Sequence, residues 1–515
     1  MRGVRILRTA LIAAAIAVGV VGARAQQSPA RTHLVIVLDG LRPDYVTPDV
    51  MPRLFRLGQR GIVFNAHHSV FPTVTRVNAS SFVTGAYPET HGLMGNTIYI
   101  PKADATRGLD TEKRENLESV ARAEGQLLTA PTLGEILQRG GKKILAVSSG
   151  STGSAFLLNH QVGNGAIINS DFTLPAELGA RVLEGLGPVP AHATPNDAQN
   201  QRAIDAYLKI GLDQLHPDVT LMWLNDPDGT AHANGIGSSL TRTSLSLVDA
   251  GIGRIEDTLR ARGQLDRTNI IVTSDHGFST HTGTFKLDSL VDPFVRKMDD
   301  GSTDIVVAEG AIYLRGDKDA ARVAAIVAAL QRRPEVGAIF TRPRPRGGPG
   351  GNSGPGDAEG VVSGTLSFDV ARWNHARSGD ILVSANWTSD KNEAGYAGKT
   401  TQTGVAGHGT SSPYDIHNTL IAAGPDFREH AVSDVPTGNV DIAPTLLRLL
   451  GLQAPPTMTG RVIEEALRDG PSFSSVRVDH VAETVKTPDG SYELTAHVSV
   501  AAGHRYLDFT EVKRP

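Results

Sequence analysis

The sequence predicts an α/β fold in which helices cover both faces of a doubly wound, mostly parallel sheet. Two observations support this prediction. Short, continuous runs rich in β-branched residues recur along the chain, as is typical of strands buried on both faces, and helical stretches lie between them. Polar residues follow several of these runs, at the position where ligands bind in such sheets.

The predicted strands and helices alternate in chain order. The first strand, residues 34–38, ends at Asp39-Gly40, and later runs end in Ser/Gly, Asn-Asp and Ser-Asp-His segments. The other strands are residues 143–148, 219–224, 269–273 and 418–423, and the helices include residues 51–60, 133–139 and 198–214. Because parallel strands need long crossovers, usually helices, this order indicates a parallel sheet.

Residues 281–400 interrupt the alternation and predict a small β-α-β insertion. Its elements are a strand at residues 305–314, a helix capped near Asp317 and a strand at residues 336–341. Residues 342–360, which are dense in Gly, Pro and Arg, predict a flexible exposed loop.

The end of the chain predicts a small β-rich appendage, residues 470–515, on a main domain of residues 26–469. Residues 476–485 and 492–500 roughly alternate apolar and polar side chains, and a Thr-Pro-Asp-Gly turn lies between them. We expect this appendage to contribute packing rather than catalysis.

The first 25 residues predict a secretory signal. Arg2, Arg5 and Arg8 precede an apolar run at residues 10–22, and a small-x-small cleavage sequence follows at residues 23–25. The alternative is an uncleaved membrane anchor, but the apolar run is short for a span. We therefore expect a periplasmic or secreted protein without a stable membrane anchor.

Composition excludes several classes of function. The 515 residues include no cysteine, which excludes disulfides, cysteine-held zinc and thiol catalysis. The 50 basic and 54 acidic side chains nearly balance, so no bulk charge favours nucleic acid or anionic lipid, and duplex binding is not expected. The sequence does not predict an oligomeric state.

Six residues of metal-binding types stand at informative positions, mostly at strand ends or beside glycine. They are Asp39, Asp228, His232, Asp275, His276 and His408. Taken singly, an aspartate after a strand is more often a helix N-cap, and a lone histidine is more often structural. Taken together with a nearby hydroxyl, three carboxylates and three imidazoles suit two divalent cations and an attacking oxygen.

The hydroxyl lies in the segment Phe-Pro-Thr-Val-Thr-Arg, residues 71–76. Coordination to a divalent cation lowers the pKa of a threonine hydroxyl and makes it a nucleophile. This chemistry does not distinguish Thr75 from Thr73. Asn96 is an amide donor suited to a phosphoryl oxygen, although by itself it is more simply a turn residue.

These motifs together resemble the nucleotide pyrophosphatase/phosphodiesterase branch of the alkaline phosphatase superfamily. The stretches that carry the resemblance are residues 39–45, 71–75, 84–96, 227–232, 274–277, 407–409 and, across the superfamily, 440–447. The resemblance implies an alkaline phosphatase-like fold and covers residues 33 to about 465. Its motifs specify the superfamily and the metal site more closely than the substrate.

The resemblance also implies two zinc ions and a role for each site residue. One ion would be held by Asp228, His232 and His408, and the other by Asp39, Thr75, Asp275 and His276. Thr75 would be the nucleophile of a double displacement through a phosphothreonine, and Asn96 would bind the phosphoryl oxygen together with the metals. The expected activity is hydrolysis of phosphodiester or pyrophosphate bonds in small phosphate esters.

Departures from the family pattern leave alternatives open. Arg76, Val77 and Asn78 follow Thr75 where the family usually has an apolar residue, proline and asparagine, and Ala231 replaces a usual glycine. Arg76 is suited to pair with a dianionic phosphate, which would favour a phosphate monoesterase. A phosphonate hydrolase and an inactive binding protein also stay open, whereas sulfatases require a motif that the Thr75 loop lacks.

Overall fold

A computed structural model of the protein describes residues 31–316, 319–344 and 358–515. The predicted signal at residues 1–25, the predicted cap at Asp317 and most of the predicted loop at residues 342–360 lie outside the described residues. The described residues between Arg31 and Pro515 form one compact unit, so the boundary proposed at residue 469 stays a prediction. In the described ranges, no helix has the length and apolar character needed to cross a membrane.

The strands, in chain order, are Thr32–Leu38 (β1), Ile62–Phe64 (β2), His67–His68 (β3), Thr97–Ile98 (β4), Leu109–Asp110 (β5), Ile144–Ser148 (β6), Ala166–Asn169 (β7), Thr173–Leu174 (β8), Val219–Leu224 (β9), Thr268–Thr273 (β10), Ser279–Phe285 (β11), Ile305–Ala308 (β12), Ala311–Leu314 (β13), Val336–Thr341 (β14), Leu366–Ser367 (β15), Ile381–Ala385 (β16), Trp387–Lys391 (β17), Ala397–Gln402 (β18), Ala406–Gly407 (β19), Leu420–Ala423 (β20), Ala431–Ser433 (β21), Thr437–Gly438 (β22), Val478–Lys486 (β23), Glu493–Ala501 (β24) and His504–Lys513 (β25).

The α-helices are Pro52–Arg60 (α1), Thr75–Thr84 (α2), Pro88–His91 (α3), Arg114–Glu124 (α4), Leu133–Arg139 (α5), Thr152–Leu158 (α6), Gly179–Leu186 (α7), Asp197–Asp205 (α8), Asp228–Asn234 (α9), Ser239–Ala261 (α10), Leu287–Val291 (α11), Ala320–Gln331 (α12), Pro413–Ile416 (α13) and Ile442–Leu449 (α14). A π-helix, Ala206–Leu215, continues α8.

The central sheet confirms the predicted doubly wound α/β fold. Its nine strands run in the order β21-β2-β20-β10-β1-β9-β6-β7-β8, and the inner strands β10, β1, β9, β6 and β7 are parallel. Side chains of β1 alternate between two apolar cores: Leu34, Ile36 and Leu38 belong to one, and Val35 and Val37 to the other. Burial on both faces explains why these strands are continuous apolar runs rather than alternating ones.

Two central elements differ from the prediction. Strand β20 begins at Leu420 and runs antiparallel to β10 and β2, although its apolar run looked like that of the parallel strands. An apolar run indicates burial on both faces but carries no information on strand direction. The helix predicted at residues 198–214 is an α-helix only to Asp205 and widens into the π-helix after it.

The predicted β-α-β insertion is a β-β-α-β unit. The single strand predicted at residues 305–314 is a hairpin, β12 and β13, whose turn residues Glu309 and Gly310 have φ angles of 47° and 79°. Positive φ at both positions is what a tight two-residue hairpin turn requires. The following helix, α12, is capped by Asp319, whose carboxylate accepts the Ala321 N–H.

The C-terminal residues form a three-stranded antiparallel sheet, in the order β23-β24-β25, and the sequence missed its last strand. Side-chain hydrogen bonds connect this sheet to the rest of the protein. Tyr492 donates to the Gly337 carbonyl at 2.7 Å, and Tyr506 donates to the Asp441 carboxylate at 2.8 Å. Residues 504–513 carry polar and apolar side chains without clean alternation, which explains why β25 escaped prediction.

Close packing at Gly61 provides a test of the central sheet, at the place where β2 pairs with β20. A Cβ there would overlap the Ala422 carbonyl where β2 meets β20, although the Gly61 φ of −114° is open to any residue. We expect Gly61→Ala to lower the free energy of unfolding by about 1–3 kcal/mol, the usual cost of overpacking. Scanning calorimetry at one scan rate measures the shift in Tm. Gly179→Ala is the control, since a Cβ at Gly179 has open space; equal Tm values for the two variants would contradict the packing.

Candidate active site and metal centre

The candidate site lies at the carboxyl edge of the central sheet, where three neighbouring strands end side by side. Val37 of β1 is level with Trp223 of β9 and with Thr273 of β10, so the loops after these strands start together. A backbone bond links two of the loops: the Asp228 N–H donates to the Asp39 carbonyl at 3.0 Å. This edge is where doubly wound sheets bind ligands.

Asp228, His232 and His408 form one group, which we call site A. Asp228 is the first residue of α9 and His232 lies one turn later, so their side chains share a face. Nε2 of His232 lies 3.3 Å from Asp228 Oδ1, and Nε2 of His408 lies 3.4 Å from the same oxygen. The sequence had left both a helix and a loop open for Asp228, and the structure shows the helix.

Asp39, Asp275 and His276 form the second group, site B. Nε2 of His276 lies 3.0 Å from Asp275 Oδ2 and 3.5 Å from Asp39 Oδ1. Asp275 and His276 lie in the loop between β10 and β11, where adjacent side chains can both turn inward. Site B is nearly inaccessible, whereas 44% of the His232 side chain is exposed, so site A is the side open to a substrate.

The three imidazoles share an orientation that frees Nε2 for a metal. Nδ1 of each ring lies at hydrogen-bond distance from a backbone carbonyl: Ala406 for His232 (2.9 Å), Gly277 for His276 (3.0 Å) and Thr73 for His408 (2.7 Å). Because a carbonyl only accepts, each Nδ1 carries the proton and Nε2 presents a lone pair in the neutral ring. Metal-binding histidines usually have this arrangement.

Three buried carboxylate oxygens in the site lack hydrogen-bond donors. They are Oδ1 of Asp39, Oδ1 of Asp228 and Oδ2 of Asp275, for which no described residue supplies a donor. Buried charges are costly unless they are paired or coordinate a metal. The separations of 3.0–3.5 Å between these oxygens and the Nε2 atoms also match the roughly 3.3 Å expected between two ligands of a tetrahedral zinc ion. The residues present therefore fit a cation at each site.

The pKa shifts of the site residues also fit bound cations. Burial, with the carboxylates of Asp275 and Asp228 nearby, raises the pKa of Asp39 well above its usual range. Burial opposes a charge on His232, but the Asp228 carboxylate outweighs it and raises the pKa of His232 to about 9. Burial and the adjacent His276 ring lower the pKa of His408, which keeps that ring neutral. The site thus favours added positive charge beside its carboxylates.

The structure separates Thr75 from Thr73. Thr75 is the first residue of α2, and its Oγ1 lies 3.4 Å from His276 Nε2 in site B. The Thr73 hydroxyl instead donates to the Thr410 carbonyl at 2.8 Å and accepts the Gly409 N–H at 3.0 Å. Thr73 therefore holds the His408 loop, while the Thr75 hydroxyl faces the metal-binding groups.

Asn96 and Arg76 lie next to Thr75. The Asn96 Oδ1 accepts the Arg76 backbone N–H at 3.0 Å, which leaves the amide NH₂ as the group available for donation. The Arg76 side chain is buried, and its Nη2 lies 3.4 Å from Glu112 Oε1. The hairpin residue Glu309 packs over Gly95, and burial raises its pKa although Arg76 acts in the opposite direction. The Arg76 guanidinium is thus paired with Glu112.

Supporting residues around the site were missed by the sequence analysis. Trp223 donates from Nε1 to Asp39 Oδ2 at 2.9 Å, and Asn439 donates to the Asp275 carbonyl at 2.8 Å. Asp415 accepts hydrogen bonds from Ser279 and Thr410, and so joins the two loops that carry His276 and His408. No spacing marks these residues, although Asn439 directly precedes the segment 440–447 noted above.

Comparisons with known proteins identify a matching family and several relatives. The family model described as type I phosphodiesterase / nucleotide pyrophosphatase matches residues 33–409. Human ectonucleotide pyrophosphatase/phosphodiesterase family member 1 is 27% identical over 246 residues, which are 47% of this chain and 23% of that protein. Venom phosphodiesterase of Macrovipera lebetinus is 26% identical over 257 residues, which are 49% of this chain and 26% of the venom protein. The chain therefore spans about a quarter of the length of these relatives.

A solved structure shares the fold. Murine ectonucleotide pyrophosphatase / phosphodiesterase 5, as an inactive threonine-to-alanine variant in complex with AMP, superposes with a TM-score of 0.59 at 19% sequence identity. The match covers 85% of this chain and 100% of the murine chain.

The Trp223 contact generates a test of site B. We expect Trp223→Phe to weaken metal binding there by roughly 10–100-fold, because the variant keeps the ring packing but removes the donor that orients Asp39. Competition with a chromogenic chelator measures the zinc affinity. Trp387→Phe is the matched control, because that indole donates to the Thr510 carbonyl in the C-terminal sheet. Unchanged zinc affinity in folded Trp223→Phe protein would contradict the assigned role.

Proposed function

This chain belongs to the type I phosphodiesterase / nucleotide pyrophosphatase family, and we propose that it hydrolyses phosphodiester or pyrophosphate bonds with two zinc ions and a phosphothreonine intermediate. The family match confirms the resemblance inferred from the motifs. Zinc, the intermediate and the substrate class are our proposal. The observation that carries it is the Thr75 hydroxyl, 3.4 Å from the nitrogen of His276 that faces two carboxylates.

The donor set supports zinc over harder cations. Each site combines imidazole nitrogen with carboxylate oxygen, whereas calcium and magnesium prefer oxygen ligands alone. Zinc ions held by these residues would supply Lewis acidity to the hydroxyl and to the phosphoryl oxygens.

The chain's own groups account for the rest of the reaction. Thr75 releases its proton to solvent, and its Oγ1 bonds to phosphorus while the bond to the leaving oxygen breaks. The Asn96 amide donates a hydrogen bond to a phosphoryl oxygen and stabilises the charge that develops there. Water then cleaves the bond between phosphorus and Thr75 Oγ1, which regenerates the hydroxyl. No separate general base is needed.

Arg76 favours a diester over a monoester substrate. A monoesterase would need the guanidinium to compensate the second charge of a dianionic phosphate. Here Oε1 of Glu112 lies 3.4 Å from Nη2 of Arg76, so the charge of this guanidinium is already compensated by Glu112. The AMP bound to the murine relative supports nucleotide esters as the substrates to try first. Export to the periplasm or the exterior is part of the proposal.

The proposed nucleophile is tested by Thr75→Ala. We expect turnover to fall by at least about 10³-fold, because the covalent route is lost, while zinc content stays near the wild-type value. Thr75→Ser keeps a hydroxyl at the same atom and is expected to retain measurable turnover. Phosphodiesterase assays with zinc determination on the same samples measure both. Wild-type turnover in Thr75→Ala would rule out the covalent mechanism.

Substrate preference is tested by comparing kcat/KM for bis(nitrophenyl) phosphate, nitrophenyl phosphate and a nucleotide nitrophenyl ester. We expect both diesters to be preferred over the monoester, because the charge of Arg76 is compensated by Glu112. Glu112→Gln is expected to shift the ratio toward the monoester, and Glu115→Gln on helix α4 is the control. A monoester preference in the wild-type protein would instead assign a phosphatase.

A further inference from the structure

We propose that His68, His417 and Asp508 form a third zinc site, which joins the C-terminal sheet to the catalytic body. The three side chains offer ligand atoms that all lie within 4.8 Å of one another. None of them belongs to site A or site B. The inference is independent of the proposed reaction, because it concerns a different set of residues.

His68 presents a lone pair to a carboxylate. Its Nδ1 lies 2.8 Å from the Thr437 carbonyl, which only accepts, so Nδ1 carries a proton. Its Nε2 lies 2.8 Å from Asp508 Oδ1. In the neutral ring this contact would set a lone pair against a carboxylate oxygen, which is repulsive without a cation between them. That cation is either a second ring proton or a metal ion.

The His68 geometry repeats that of the active-site histidines. In His232, His276 and His408, Nδ1 likewise meets a backbone carbonyl while Nε2 faces an aspartate oxygen. A backbone carbonyl on Nδ1 fixes the ring orientation of a metal ligand and makes Nε2 more basic. The same local arrangement at His68 orients its Nε2 toward the Asp508 carboxylate, as in a metal-binding histidine.

His417 supplies a second nitrogen that needs a partner. Its Nδ1 is buried, and no donor or acceptor in the described part of the chain pairs with it. The ring centroids of His417 and His68 lie 4.6 Å apart. A bound proton on His68 would leave this nitrogen unsatisfied, whereas a metal ion would use it.

Asp508 completes a donor set of two imidazoles and one carboxylate. The Ser499 hydroxyl lies 2.9 Å from both of its oxygens and holds the carboxylate in place. Zinc commonly binds two imidazole nitrogens and one carboxylate oxygen, with water in the fourth position. Calcium and magnesium instead prefer oxygen ligands.

The location gives the site a structural role. His68 is in β3 and His417 follows α13, both in the catalytic body, while Asp508 is in β25 of the C-terminal sheet. A metal that binds only the folded state stabilises it, as a disulfide would. This chain has no cysteine with which to make such a covalent link.

Zinc content tests the site in the full mature chain. We expect three zinc ions per chain in the wild type and a loss of one in Asp508→Asn, which preserves side-chain shape. His417→Gln is a second variant with the same expected loss. Glu511→Gln, on the same strand, is the control and should match the wild type. Equal zinc content in the wild type and both variants would overturn the proposal.

The dependence of Tm on zinc distinguishes a bound metal ion from an ordinary hydrogen bond between His68 and Asp508. We expect Asp508→Asn to lower Tm relative to the wild type in zinc, and this gap to close when a chelator removes the metal from both. A gap that persists unchanged in chelator would overturn the proposal, because it would come from the hydrogen bonds alone.

A crystal structure of the wild-type protein would provide a test that needs no variant. Anomalous difference density at the zinc edge should show a peak between His68, His417 and Asp508. Peaks at sites A and B without this third peak would overturn the proposal and leave the proposed function intact. The third peak without the other two would support this site and contradict the proposed function.

Discussion

The crowding of three buried carboxylates at one edge of the sheet is the constraint on which the site depends. Asp39, Asp228 and Asp275 each bury an oxygen that no described donor satisfies. Burying an uncompensated charge costs several kcal/mol per ion, so positive charge from the imidazoles or from a bound cation stabilises the fold at this edge. The parallel strands supply the geometry, since β1, β9 and β10 end at the same level.

Backbone carbonyls orient the three histidine rings of sites A and B. The Thr73 carbonyl orients His408, and the Thr73 hydroxyl bonds to Gly409 and Thr410. The loop that carries Thr75 is therefore held by the loop that carries His408. Because one set of hydrogen bonds positions the hydroxyl and a site A ligand, their spacing does not depend on flexible side chains. This rigidity suits a reaction that relies on positioning and electrostatic stabilisation.

The insertion and the C-terminal sheet act on the site from outside the central sheet. The hairpin between β12 and β13 places Glu309 over Gly95, beside Asn96 and near Arg76. The C-terminal sheet reaches the strand β3 through Asp508, and the neighbouring His67 bonds to Asn439, which holds the Asp275 loop. Both additions thus contribute contacts next to residues of the candidate site, although neither supplies a member of site A or site B.

The fold class, the family and the residue types at the strand ends could all be predicted from the amino-acid sequence. Continuous apolar runs and the spacing of Asp228 with His232 are local properties, so they can be recognised without coordinates. Only the folded structure shows that the Thr75 hydroxyl faces site B, while the Thr73 hydroxyl bonds to the loop that carries His408. Only the folded structure shows, too, that the charge of Arg76 is compensated by Glu112. It also decided the antiparallel direction of β20 and the meeting of His68 with Asp508. These features depend on contacts between residues far apart in the chain, and no local pattern encodes such contacts.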